Sequence, residues 1–313
     1  MNAIEPAFCA FLLIVSTVGL NRAETAAIDG EVHSQPSIWR RAAALAAGAD
    51  LPSSGQRVAV MGCGTSLFVA QAIANWREGS GHGLTDAFTP SEMPLGRRYD
   101  SVIAISRSGT TTEVLQALRS LPESDTFAIT AVAESPLAEN VEHLVALPFA
   151  DETAIVQTRF STSVVALWRA YLGHDVDRLA AHAEAKLTAG LPDSLTTSEQ
   201  FVFLGHGPAV GLANEASLKF REAALAWSEA YPAMELRHGP ISVLGPRSLV
   251  WSLGDLPQGL AEDVLATGAC LQVNGGDPLP EMVRVHRAAI ALARAKGLNP
   301  DCPPRLERSV VLP

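Results

Sequence analysis

Arg57-Val58-Ala59-Val60-Met61-Gly62-Cys63-Gly64-Thr65-Ser66-Leu67-Phe68-Val69-Ala70-Gln71-Ala72-Ile73-Ala74 holds a strand, a turn and the start of a helix in one run. Arg57 to Met61 reads as a buried strand and Leu67 to Ala74 as a helix. Gly62 and Gly64 let the backbone bend between them without a Cβ clash. Thr65 and Ser66 open the helix. The first helical N–H groups have no intrahelical partner and the macrodipole adds partial positive charge there, so the turn is a ready anion site, of a kind that many α/β proteins carry with nothing bound.

A second turn of the same kind follows. Ser101-Val102-Ile103-Ala104-Ile105 is another buried strand, and it runs into Ser106-Arg107-Ser108-Gly109-Thr110-Thr111 before a helix begins near Thr112. An ordinary helix N-cap uses one Ser or Thr. Four hydroxyls exceed that need, and with backbone N–H groups they can enclose a phosphate without a metal or a P-loop lysine.

The bulk numbers set bounds. At 313 residues the chain holds two ordinary domains or one large one. Its 48% hydrophobic and 6% aromatic content suits helices packed on a parallel sheet. A formal net charge of −10, with no block of Lys or Arg, argues against a nucleic-acid partner but leaves room for a small anionic ligand in a locally positive pocket. Cys9, Cys63, Cys270 and Cys302 show neither zinc-site nor redox-pair spacing, so no metal is expected, and their scatter fits reduced thiols in a cytoplasmic protein. Cys63 reads as a small buried filler. Ala7 to Leu20 is apolar but short for a membrane span, and no Lys or Arg precedes it as in a secretory signal. Residues 1–24 are therefore expected to lie outside the fold, with no membrane partner.

Strands alternating with helices predict a doubly wound parallel sheet over residues 25–172. A helix is expected from Ser37 and another over 154–171. Residues 173–198 read as a helical connection. The pattern then restarts over 199–313: Gln200 to Leu204 is a strand, Gly205-His206-Gly207-Pro208 a turn, and Ala209 to Ala226 a helix. A strand, a glycine turn and a helix thus recur in both halves, as in a tandem duplication. The proline-rich tail from Leu298 to Val310 is expected to wrap onto the fold if it is ordered.

In the second half, Glu215, Lys219 and Glu222 fall at i, i+4 and i+7 on one helix face. A solvated Glu–Lys pair is the commonplace reading. The sharper one makes Glu222 a general base, with Lys219 holding its charge or the substrate's. His238 precedes Gly239-Pro240 in a loop, and imidazole is the side chain best matched to proton transfer near neutral pH.

Cys63-Gly64-Thr65-Ser66, Ser106 to Thr111, Glu215 to Glu222, Glu229-Ala230-Tyr231 and Glu235-Leu236-Arg237-His238-Gly239-Pro240 together resemble the SIS (sugar isomerase) family. Within it the chain looks like the isomerase domain of glucosamine-6-phosphate synthase and the SIS-type hexosamine-phosphate deaminases. The tail around Leu306-Glu307-Arg308-Ser309-Val310 matches more loosely. The resemblance implies an α/β fold of two tandem flavodoxin-like SIS domains, working as a homodimer and without a cofactor. It implies phosphate held by Ser106, Ser108 and Thr111, with Arg107 where the family often has Gln, and Thr65 and Ser66 on the sugar. Glu222 would be the proton-shuttling base, and His238 the ring-opening histidine contributed across the dimer interface. Gln157 and Arg159 replace a Ser and a Lys of the synthase. Arg308 stands where the synthase has its imine-forming lysine, and an arginine stays protonated and cannot form that imine. No glutaminase unit precedes the SIS pair in this sequence, so the expectation is a phosphosugar isomerase or deaminase acting on a hexosamine 6-phosphate. The alternative is a sensor that binds the phosphosugar without turnover.

Overall fold

A computed structural model describes residues 26–121 and 123–312; the expectation for residues 1–24 lies outside them. The chain opens with α1 (Ala26–Leu45). Next come β1 (Val58–Gly62), α2 (Thr65–Gly79), β2 (Thr85–Phe88), β3 (Ser101–Ile105), α3 (Thr112–Arg119), β4 (Asp125–Thr130) and β5 (His143–Ala146). Two helices, α4 (Arg159–Tyr171) and α5 (Val176–Lys186), lead to the second half. There the order is β6 (Gln200–Gly205), α6 (Ala209–Ala224), β7 (Trp227–Pro232), β8 (Ser248–Ser252), α7 (Leu260–Ala266), β9 (Cys270–Val273) and α8 (Pro278–Ala295).

The strands form two sheets, both parallel throughout, ordered β2-β1-β3-β4-β5 and β7-β6-β8-β9. Every residue of β1, β3 and β8 is buried. That is why they read as continuous apolar runs, since helices cover both faces of a parallel sheet. In the first sheet the chain steps from β1 outward to β2 and then returns to β3 on the other side. The crevice at the carboxyl ends of β1 and β3 is therefore the topological switch point, where open α/β sheets bind ligands. Gly62 lies opposite Ile105, so the two hydroxyl-bearing turns leave the sheet side by side.

One core cluster runs through both sheets, joining Val58 and Ile103 to Phe201 and Trp251 by way of Trp39, Trp168, Phe220 and Val283. The close crossing of α2 and α6 needs glycine. A Cβ on Gly211 would sit 2.6 Å from Ala72 N and Phe68 O, a distance no packed carbon tolerates. This approach carries α6, with its charged face, to the N-terminus of α2.

Three expectations are corrected. The first helix does not start at Ser37; it begins at Ala26 and carries Pro36 within it. Burial of Ile28, Val32 and Trp39 outweighs the one hydrogen bond that proline forfeits. The next helix starts at Arg159 rather than at residue 154, because the buried Glu152 carboxylate accepts from Thr158 N, Arg159 N and Phe160 N and so fixes where the helical turns begin. The third is β7, where no strand was expected. Trp-Ser-Glu-Ala-Tyr-Pro lacks a buried apolar run because it is the edge strand of its sheet, with Trp227 70% exposed.

Candidate active site

In the Ser106–Thr111 turn the hydroxyls gather at the start of α3. Ser106 Oγ lies 3.1 Å from Thr111 Oγ1 and accepts from Gly109 N at 3.2 Å. Gly109 holds φ +67, and a Cβ there would come within 2.2 Å of Ser135 Oγ, so only glycine closes this turn. Ser108 Oγ accepts from Thr110 N at 3.2 Å. The hydroxyls of Ser106, Ser108, Thr110 and Thr111 thus surround the start of α3.

The tail lies on this turn. Ser309 Oγ is 3.0 Å from Ser108 Oγ and 2.9 Å from Thr110 Oγ1. Thr112 N donates to Val310 O at 3.3 Å, and Leu312 N donates to Thr112 Oγ1 at 2.9 Å. The expected wrap of the tail is therefore present, and Ser309 enters the site as a residue that sequence reading passed over.

Arg107 departs from its expected role on a phosphate. Its side chain is buried and turns away from the hydroxyls, donating from Nη1 to Ala154 O at 2.9 Å and from Nη2 to the Ile155 and Arg308 carbonyls at 3.3 and 3.2 Å. It ties the turn to the 152–155 loop and to the tail. Arg308 donates to Glu152 O and pairs with Asp151 Oδ1, so its guanidinium is also engaged. Arg159 donates to Asp151 O and to Ser34 Oγ. Gln157 is half-buried beside this loop, and its Oε1 accepts nothing among the described residues. Glu152, the anchor of α4, had no local sequence signal, because its partners lie six to eight residues on.

The charged face of α6 is not solvated. Lys219 and Glu215 are each 1% exposed, which rejects the commonplace surface-pair reading. Lys219 Nζ donates to Glu222 Oε2 at 2.5 Å and to Thr65 Oγ1 at 2.9 Å, and lies 3.4 Å from Glu215 Oε1. Burial works against the ammonium charge, but Glu215 and Glu222 outweigh it and hold the Lys219 pKa above its ordinary value. Lys219 thereby joins the second half to the first glycine turn. Ser66 is buried beside Thr65. Glu222, with a side chain 20% exposed, is the member of the cluster that reaches open space.

Burial pushes Glu215 up to about 7, with Glu222 adding to the rise and Lys219 opposing it. In the unfolded chain the carboxyl returns to its ordinary 4.5, so the folded form holds the proton more tightly. The stability this confers is complete below pH 4.5 and falls as pH rises toward 7, on the order of 1 kcal/mol per pH unit for one proton. Urea unfolding of parent and Glu215→Gln between pH 5 and 8 tests it. The stability difference should fall toward pH 7 and then level, and parallel curves would refute the raised carboxyl.

His238 ends a short 3-10 turn (Ala233–His238) after β7 and is exposed. Among the described residues, no hydrogen bond or ion pair joins it to Glu222. Thr65, Lys219, Glu215 and Glu222 are thus assembled, as are Ser106, Ser108 and Thr111, while His238 stands apart from them. Cys63 is half-buried rather than buried, and desolvation, with Glu113 adding to the shift, raises its thiol to about 11. Cys63, Cys270 and Cys302 are all free.

A hydroxyl-lined crevice thus lies at a sheet switch point of this α/β fold, with a carboxylate–ammonium cluster against it. Residues 51–171 match the family model described as SIS domain. The chain is 27% identical over 306 residues to a glutamine–fructose-6-phosphate aminotransferase (isomerizing) from Sulfolobus acidocaldarius, covering 84% of this chain and 51% of that protein. A Pseudomonas aeruginosa protein of the same name is 30% identical over 261 residues, covering 68% of this chain and 42% of that one. The chain thus spans about half the length of these relatives, or less. Among solved structures, glucosamine-6-phosphate deaminase from Thermotoga maritima superposes with a TM-score of 0.79 at 24% identity, covering 91% of this chain and 98% of that one. Tagatose-6-phosphate ketose/aldose isomerase from Escherichia coli gives 0.72 at 20%, covering 94% and 98%. Both likenesses establish the fold.

Proposed function

We propose that this protein is a phosphosugar isomerase or deaminase acting on a hexosamine 6-phosphate, built from two tandem SIS units and working as a homodimer. The observation that carries the reading is the buried Lys219, which holds Glu222 at 2.5 Å and Thr65 at 2.9 Å, so that a carboxylate stands poised at the crevice of the two hydroxyl turns. The Ser106–Thr111 turn takes the 6-phosphate. His238 of a second protomer opens the sugar ring, which accounts for its exposure and its distance from the cluster here. Glu222 removes the C2 proton of the open-chain aldose to give an enolamine and returns a proton to C1. The resulting ketose imine adds water and releases ammonia, leaving fructose 6-phosphate. With a hydroxyl at C2 in place of the amine, the same two proton transfers end at the ketose. Arg308 has no neutral amine to offer and is occupied by Asp151, which favours this route over one through an enzyme-bound imine.

Proton NMR of glucosamine 6-phosphate with the protein in D₂O is the test. Loss of the C2 proton signal is expected, and ammonium together with fructose 6-phosphate identifies the deaminase. Exchange without ammonium identifies an isomerase. Binding without exchange, across hexose and hexosamine 6-phosphates, would overturn catalysis and leave a sensor.

A further inference from the structure

A cavity of about 530 Å³ opens between the exposed face of α5 and the β9–α8 turn, away from the crevice of the first sheet. Arg169, Arg178, His182 and Lys186 line it from the helices, His174 from the α4–α5 connection, and Asn274-Gly275-Gly276-Asp277 from the turn. Arg178, His182 and Lys186 are spaced i, i+4 and i+8, so they project from one face of α5.

Arg169, Arg178 and Lys186 line the cavity together with two carboxylates, Asp175 and Asp277. A third, Asp255, lies against Gly275, where a Cβ would come within 3.3 Å of its Oδ1. Asp277 pairs with Arg169 at 2.7 Å. Glu281 receives both Lys186 at 2.7 Å and Arg284 at 3.1 Å. Asp175 is used on its own helix, accepting from Arg178 N at 3.0 Å. The guanidinium of Arg178 is left with no ion pair or hydrogen bond among the described residues, and Lys186, bonded to Asn274 and Glu281, keeps a third N–H.

The turn contributes donors as well. Among the described residues the N–H groups of Gly275 and Gly276 donate to nothing. They precede α8, whose own N-terminus is capped by Asp277 Oδ1, which accepts from Leu279 N at 3.0 Å. Arg169 lines the same cavity at 5% exposure, and its Nε has no partner among the described residues. Its guanidinium lies 4.7 Å over the Trp76 ring, which fixes its position.

We infer that this cavity is a second anion site, taking the phosphoryl group of a phosphate monoester on Arg178, His182, Lys186 and the Gly275–Gly276 amides. A bare phosphate would leave most of the volume unused, so the ester's hydroxylated body occupies the rest. The site is independent of the Ser106–Thr111 turn and belongs to the second sheet.

Titration calorimetry of the full chain with glucosamine 6-phosphate, and separately with inorganic phosphate, tests it. The Ser106→Ala/Thr111→Ala double variant, with its first crevice disabled, should still bind the ester at one site. Adding Arg178→Glu should weaken that binding by about tenfold or more, since a charge-assisted contact becomes a repulsion. His182→Ala, on the same exposed face, should weaken it in the same direction. Equal affinity for inorganic phosphate and ester would keep the site but assign it to the free anion. Binding by the double variant that Arg178→Glu and His182→Ala both leave unchanged would overturn the inference, as would absence of any binding once the first turn is disabled. Proton exchange at C2 should be unchanged in Arg178→Glu, so failure of the catalytic reading and failure of this site are read separately.

Discussion

Glu222→Gln should slow exchange of the C2 proton of glucosamine 6-phosphate by about 10²- to 10⁴-fold, the usual contribution of a positioned base. Glutamine keeps the volume of the side chain and still offers Lys219 a carbonyl oxygen, so packing at the end of α6 is preserved. What it loses is the ability to accept a proton. The loss should therefore fall on kcat, with substrate affinity held by Ser106, Ser108 and Thr111, which the substitution does not touch. Single-turnover exchange followed by NMR, beside a binding isotherm, separates the two. Retained binding with lost exchange confirms the base. Exchange at the parental rate would move the base elsewhere, with Glu215 the next carboxyl to test despite its 1% exposure.

Much of this arrangement was legible in the sequence, for reasons that particular residues make plain. Gly62-Cys63-Gly64-Thr65-Ser66 and Ser106 to Thr111 are local signals: strand, turn and helix cap lie within a few residues of one another, and local chemistry fixes them. The i, i+4, i+7 spacing of Glu215, Lys219 and Glu222 likewise shows a shared face. Its burial was not legible, because that depends on Gly211 letting α6 settle on α2, a contact between residues far apart in the chain. The same limit hid Glu152, which sets the start of α4 through backbone N–H groups that no motif marks. It hid Ser309, which meets Ser108 across 201 positions. The resemblance put Arg107 among the substrate contacts, whereas in the fold its guanidinium donates to the carbonyls of Ala154, Ile155 and Arg308, the last of them 201 positions away. The edge strand β7 was missed because an edge does not need the buried apolar run by which central strands are recognised.

Lys219→Met carries the largest expected cost in stability. The substitution conserves length and apolar volume but removes the one cation between Glu215 and Glu222. Replacing a buried ion pair as a unit is often neutral, whereas removing one partner strands the other charge, at about 3–5 kcal/mol. Here two carboxylates are affected, and Glu215 has both oxygens buried with no hydrogen-bond partner among the described residues. The chain can relieve the strain only by protonating a carboxyl, which Glu215, already raised to about 7, does most readily. The cost should therefore be larger at pH 8 than at pH 5, because at pH 5 the proton is supplied from solution. The bond to Thr65 is lost as well, so the first glycine turn loses its tie to α6 and catalysis should fall with stability. Urea midpoints for parent and Lys219→Met at the two pH values give the answer. A cost near zero at pH 8 would mean that the cluster is solvated in solution, and with it the physical basis for Glu222 as a positioned base would go.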